Sequence, residues 1–326
     1  VPDYTARRVL HLLDWTLRTY PGADPERVYI AGGSMGGAGA LALGLHYARH
    51  FAFVQALVAE SVARLHRPSR IAQLESLWGT PALNLPGSGA VGVWDELDMT
   101  RLLLQVPEAR EQFVFLKHSK DDPTIHFSAA VGASPHTGKS LYGALGAERV
   151  GHYAVWDEGG HSEPDPVLGQ RWWDSGWDPV HDPVTFLRRD RAFPAFTRSS
   201  GDREPGDGSG NGRRAWSAET GFAGDPAVGG DTGWSGQSAG ALNRFLRWDA
   251  TAVTDTRDYF ELPLRALDAA GAAPPREGYP TTGDRLESGP TLWADVTIRR
   301  AQAFVLRGGG DRHPGLLRIA AARARR

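Results

Sequence analysis

The sequence contains no cysteine, so disulfides, thiol catalysis and Cys-ligated zinc are excluded. That absence leaves the compartment open. Neither sign of charge dominates: 36 Lys and Arg stand against 38 Asp and Glu, a net charge of -2, which gives no basis for a nucleic-acid partner or an acidic-membrane surface. The basic run Ala320 to Arg326 is a short terminal Ala/Arg tract, expected as a solvated or disordered end. No apolar run reaches the ~18 residues that a membrane span needs. Position 1 is Val, with no charged n-region or apolar h-region behind it, so any targeting signal is expected to have been cut off or never present. No G-x-x-x-x-G-K-[ST] occurs, and no Lys follows the main glycine cluster, which argues against a nucleotide phosphate site. At 326 residues the chain is long enough for about two domains and a substantial core.

What is present is organised around Arg27 to Ala40. Val28, Tyr29, Ile30 and Ala31 form a short β-favouring run broken at once by glycines, and small helix-compatible residues follow. Gly32-Gly33-Ser34-Met35-Gly36 fits the G-x-S-x-G elbow, a strand-to-helix turn that holds a serine in a strained conformation tolerated only beside residues lacking side chains. The geometry presents Ser34 above a helix N-terminus, where the Met35 amide and the positive end of the helix dipole would meet developing negative charge. The plain alternative is a Gly-rich turn that merely packs closely.

The remaining elements follow from periodicity. Tyr4 to Tyr20 reads as a helix with Val9, Leu12, Leu13, Leu17 and Tyr20 on one face, closed by Pro21-Gly22. Phe53 to Ala59, Phe113 to His118 and His152 to Trp156 are three further strand candidates, and the spacing of the first from the elbow suits a βαβ crossover. From 61 to 112 the pattern loosens into an expected insertion or lid over the sheet edge, with one amphipathic helix over Asp95 to Leu104. Parallel strands share their carboxyl ends, so Asp121 and Asp122, just past the third strand, lie on the rim that carries Ser34. Asp122 is favoured by its distance from the strand end, and a solvated Asp-Pro turn is the bland alternative. His161 follows Gly159-Gly160 on a loop leaving the fourth strand, free to swing over the serine. His118 and His126 flank the acid, but each reads as a packed or surface residue. The order Ser34, Asp122, His161 is nucleophile, acid, base.

Asp24 to Gly37, His118 to Ile125 and Glu158 to His161 together resemble the three catalytic blocks of the α/β-hydrolase superfamily. Within it they are most similar to the polyhydroxybutyrate-depolymerase-like, feruloyl-esterase-like and prolyl-oligopeptidase-type branch, over roughly residues 3 to 190. The resemblance implies Ser34 as nucleophile, Asp122 as acid and His161 as base. Family members place three or four strands and a His-Gly-Gly-type oxyanion loop before the helix that here begins the chain. The expectation is therefore either a fragment or a second oxyanion donor elsewhere. Loss of one such donor typically costs about 10² to 10³ in rate, and a missing half-sheet leaves a strand edge uncovered.

The expected fold is α/β: an α/β-hydrolase-type, mostly parallel sheet over 1–191, ending in a short charged helix from Thr185 to Arg191. A Gly-rich linker over 192–240, a small all-β sandwich-like domain over 241–307 and a disordered tail over 308–326 follow. Glycine occurs twelve times between Ser199 and Gly240. Asp202, Asp207 and Asn211 could be oxygen ligands for calcium, but without EF-hand spacing a plain loop is favoured. Trp172, Trp173 and Trp177 are expected to anchor a loop on the core rather than to line a substrate pocket. Arg244 to Val253 and Tyr259 to Leu267 suggest paired strands, and Leu292 to Ile298 and Gln302 to Leu306 two more. Asp295 to Phe304 is similar to the closing strands of fibronectin-III-like accessory domains. The functional expectation is a serine hydrolase acting on a small-molecule or polymeric carboxylic ester, with no metal or organic cofactor, no nucleic acid and no membrane span. A prolyl-oligopeptidase-type peptidase and a non-catalytic binding protein are the alternatives. By analogy with such two-part enzymes the compartment is expected to be extracellular or periplasmic.

Overall fold

The computed structural model describes residues 3–87, 91–162, 187–211, 233–237, 239–266, 292–305 and 316–323. In chain order these form α1 (Tyr4–Thr19), β1 (Tyr29–Gly33), α2 (Met35–His46), β2 (Phe53–Leu57), α3 (Pro68–Trp78), α4 (Val93–Glu96), α5 (Met99–Gln105), β3 (Phe113–Ser119), α6 (Ser128–Val131), α7 (Leu141–Ala147) and β4 (Gly151–Asp157). Among the described residues only strands follow: β5 (Phe193–Thr197), β6 (Gly210–Asn211), β7 (Gly233–Trp234), β8 (Gly240–Leu242), β9 (Leu246–Trp248), β10 (Thr254–Asp255), β11 (Tyr259–Ala266), β12 (Asp295–Arg299) and β13 (Leu316–Arg323).

The central sheet has the order β1-β2-β3-β4-β8, with the first four strands parallel and β8 antiparallel to β4. Side chains alternate across it as the pleat requires. Val54, Ala56, Val114, Leu116, Ala154 and Trp156 pack with helices α2, α5 and α7. The intervening Phe53, Phe113, Phe115, Tyr153 and Val155 share a second core with Phe193, Phe196, Trp248, Phe260 and Phe304. Burial on both faces is why these strands read as continuous apolar runs rather than as alternating ones.

The second core changes the picture of the C-terminal half. Within the stretch expected as a separate sandwich over 241–307, β8 completes the central sheet and Trp248, Phe260 and Phe304 cover one of its faces. β9 and β10 each pair antiparallel with β11, in line with the expected pairing, and β12 pairs with β5. The expected strand over Gln302 to Leu306 is not formed by its described part, 302–305. Leu316–Arg323, expected as part of a disordered tail, is a strand parallel to β11. Of the expected helix over Thr185 to Arg191, residues 187–191 form a turn. Trp172, Trp173 and Trp177 lie outside the described residues.

Two further expectations are corrected. The single helix over Asp95 to Leu104 breaks at Asp98, whose Oδ1 accepts the N–H groups of Thr100 (3.0 Å) and Arg101 (3.2 Å) and so starts α5. Met99, Leu102 and Leu103 then enter the core, so this part of 61–112 supports the sheet. Helix α1 forms where the periodicity puts it, yet its apolar stripe is not buried: Leu12 is 60% exposed. β1 has a neighbour on one side only among the described residues.

Helix α2 lies so close to the sheet that Gly44 has no room for a side chain. A Cβ there would stand 2.3 Å from Val54 Cγ2 and 3.2 Å from Ile30 Cγ2. Gly44→Ala is expected to lose about 1–3 kcal/mol through overpacking, although alanine is the better helix former. A lower urea midpoint at unchanged slope checks it.

Candidate active site

Ser34 stands between β1 and α2 with φ 57° and ψ −126°, a left-handed conformation that costs a non-glycine residue energy. Its neighbours make the turn possible. A Cβ on Gly32 would lie 2.1 Å from the Gly36 carbonyl oxygen, and one on Gly37 would lie 2.6 Å from that of Leu57. The Ser34 N–H donates to Leu57 O at 2.9 Å, which ties the elbow to β2. Met35 is the first residue of α2, so its N–H has no acceptor within the helix.

The acid loop leaves β3. Asp122 is 1% exposed; its Oδ1 accepts the N–H groups of Thr124 (2.7 Å) and Ile125 (2.9 Å), and its Oδ2 lies 2.7 Å from His161 Nδ1. Burial pushes the Asp122 carboxyl above the usual carboxylate range, while His161 and the two amides pull it back. The other imidazole nitrogen, His161 Nε2, lies 2.8 Å from Ser34 Oγ. The fold thus brings Ser34, His161 and Asp122 into one line, and it is Asp122, not its neighbour Asp121, that stands behind the ring. His118 is packed, with Nδ1 2.6 Å from the Tyr142 hydroxyl and Nε2 2.9 Å from Ala59 O. Burial lowers its pKa to about 4. His126 pairs with Ser128.

One supporting residue was not singled out from the sequence. Asp157, the last residue of β4, accepts the Gly159 N–H through Oδ1 at 2.9 Å and pairs through Oδ2 with Lys117 Nζ on β3, both side chains 3% exposed. Its carbonyl accepts the Lys120 N–H at 2.7 Å. A single residue therefore fastens the loops of His161 and Asp122 together. The sequence signal was only an Asp before Glu-Gly-Gly-His. Asp157→Asn takes the carboxylate from beside a buried ammonium and is expected to lose about 3 kcal/mol or more, measured by chemical unfolding.

The site opens into a cavity of about 430 Å³, with Ser34, Met35, Ala38 and Ala42 on one side and Leu74, Leu77 and Trp78 of α3 on the other. Part of the 61–112 segment thus walls the site. Among the described residues no cluster of three or more His, Cys, Asp or Glu could hold a metal. Asp202, weighed above as a calcium ligand, instead accepts the N–H groups of Asn243 (2.6 Å) and Ser199 (3.1 Å). No described helix is long and apolar enough to cross a membrane.

Residues 2–162 match the Esterase family, described as Putative esterase. No curated protein matches the chain. Among solved structures it is similar to a putative dipeptidyl aminopeptidase IV from Bacteroides ovatus, at 19% identity over 48% of this chain and 19% of that one, TM-score 0.36. An S-formylglutathione hydrolase from Agrobacterium tumefaciens matches at 22% identity over 47% of this chain and 48% of that one, TM-score 0.33. The fluorophosphonate-binding serine hydrolase FphF of Staphylococcus aureus matches at 18% identity over 48% and 56%, TM-score 0.32. The chain therefore spans about a fifth of the first of these and about half of the other two. Its own mostly parallel sheet, elbow and strand-end loops have the α/β-hydrolase arrangement.

Proposed function

We propose that this chain carries the catalytic centre of a serine hydrolase that cleaves carboxylic esters through an acyl-enzyme. The observation that carries the reading is the pair of hydrogen bonds, 2.8 Å and 2.7 Å, that links Ser34 Oγ to His161 and His161 to Asp122. The match of residues 2–162 to an esterase family supports the ester as the bond attacked.

With Nδ1–H donated to Asp122, Nε2 of His161 accepts the Ser34 proton as Oγ attacks the substrate carbonyl. Asp122 fixes that tautomer and stabilises the imidazolium. The Met35 N–H, together with the positive end of α2, receives the oxyanion. His161 then returns its proton to the departing alkoxide, which leaves as the alcohol. A water that gives a proton to His161 attacks the Ser34 ester, and His161 passes that proton to Ser34 Oγ as the carboxylic acid is released. The strained Ser34 backbone keeps the hydroxyl clear of its own helix throughout.

The test is labelling by a fluorophosphonate together with turnover of short p-nitrophenyl esters by the full-length protein. Stoichiometric labelling at Ser34 and a burst of p-nitrophenolate are expected. A protein that neither labels nor turns over any such ester lacks the proposed activity.

A further inference from the structure

Helix α2 carries the glycines Gly36, Gly37, Gly39 and Gly44, and packing does not account for all of them. Gly37 and Gly44 have no room for a side chain, since a Cβ would stand 2.6 Å from Leu57 O in the first case and 2.3 Å from Val54 Cγ2 in the second. Gly36 belongs to the elbow, in the first turn of the helix. Gly39 is different. A Cβ there meets no heavy atom of the described residues within 4 Å, yet a glycine inside a helix is less stable than an alanine. Gly39 lines the cavity that begins at Ser34, so the space its side chain would fill belongs to that cavity.

Met35, Ala38, Gly39 and Ala42 recur at three- and four-residue spacing and form one face of α2. Leu74, Leu77 and Trp78 do the same on α3, across the cavity. Small residues thus face large ones, and the large ones do not close the gap. An apolar gap with no occupant weakens a fold. At 1.5 Å per residue the small face runs about 12 Å from Ser34 to Ala42, and the volume of about 430 Å³ has room for on the order of ten water-sized groups. Met35 and Leu77, 81% and 73% exposed, make the entrance apolar as well. Glu60 and, ahead of Leu74 in the chain, Arg67 and Arg70 also border the cavity.

Proton transfer decides which arm of the ester lies there. His161 Nε2 returns its proton to the leaving alkoxide, so the alcohol departs on the imidazole side of Ser34. His161 does not line the cavity, whereas Ser34, to which the acyl carbon becomes bonded, does. The acyl arm is therefore the one that leads away from the ring. We propose that the cavity takes this acyl arm as an unbranched aliphatic chain laid between α2 and α3, and that Gly39 sets how long a chain is accepted. This rests on Ser34 being the ester-cleaving nucleophile. The substrate class is esters of medium-chain aliphatic acids.

The test compares p-nitrophenyl octanoate with p-nitrophenyl acetate, which share a leaving group and differ in the acyl chain. A methylene moved from water onto an apolar wall is worth about fourfold, so the octanoate is expected to show kcat/KM about tenfold higher or more. Gly39→Leu puts a side chain into the gap and is expected to cut that ratio about tenfold. Leu77→Ala, at an exposed position, is expected to cut it about threefold. Gly39→Ala is expected to raise the urea midpoint, because it favours the helix and meets no neighbour. A ratio of one or less in the wild type, a ratio unmoved by Gly39→Leu in a folded protein, or a lower midpoint for Gly39→Ala overturns the acyl cavity. If Gly39→Leu does not fold, Leu77→Ala decides, and a ratio it leaves unchanged overturns the inference. Fluorophosphonate labelling with equal turnover of both esters overturns this inference and leaves Ser34 in place. No labelling and no turnover of either ester overturns both.

Discussion

Ser34→Ala is expected to abolish fluorophosphonate labelling and to lower kcat by about 10⁴- to 10⁶-fold. Only the Oγ is removed. Alanine carries the same Cβ into the left-handed conformation at φ 57°, so the backbone strain is nearly unchanged. The Ser34 N–H bond to Leu57 O is a backbone contact and survives as well. Stability should therefore stay within about 0.5 kcal/mol of the wild type, and loss of activity would not be loss of fold. What remains is rate from positioning and from the Met35 amide, small but measurable over water. A variant that keeps wild-type turnover would mean that another group attacks the carbonyl.

The elbow and the strand-end loops were legible because each depends on local chemistry. The glycines around Ser34 are needed by a turn in which a Cβ on Gly32 would lie 2.1 Å from a carbonyl oxygen. Asp122 and His161 could be placed on the rim of Ser34 because parallel strands deliver their following loops to one rim. What covers the sheet was harder to read. The aromatic residues Phe193, Trp248, Phe260 and Phe304 carry no periodicity that names their partner, so strands that close over the sheet's second face read as a module of their own. The stripe on α1 predicted a helix correctly, but periodicity says nothing about what a stripe meets, and Leu12 is exposed. Asp98 looked like one more polar residue of a helix, whereas α4 has already ended at Leu97 and the Asp98 side chain caps the start of α5. Arg67 and Arg70 lay in the loosest stretch, where only the fold of α3 over the elbow turns two arginines into the wall of a cavity.

Asp122→Asn is the second large effect expected, a fall in kcat of about 10⁴-fold with the native fold kept. The hydrogen bonds dictate how the new amide must turn. Oδ1 of Asp122 accepts two backbone amides, those of Thr124 and Ile125, and only an oxygen can take that place. The Asn NH₂ is therefore directed at His161 Nδ1, the position that Oδ2 occupies in the wild type. A donor facing Nδ1 forces that nitrogen to accept, which moves the imidazole proton to Nε2, opposite Ser34 Oγ. The imidazole then has no lone pair with which to take the serine proton, although every heavy atom is in place. Fluorophosphonate labelling should slow by the same factor as turnover, since both need the deprotonated Oγ, while the unfolding midpoint shifts little. Asp121→Asn, one residue earlier, is expected to leave the labelling rate within a few-fold, because it is Asp122 that bonds His161 Nδ1. If the two variants behave in the opposite order, the acid has been assigned to the wrong carboxylate.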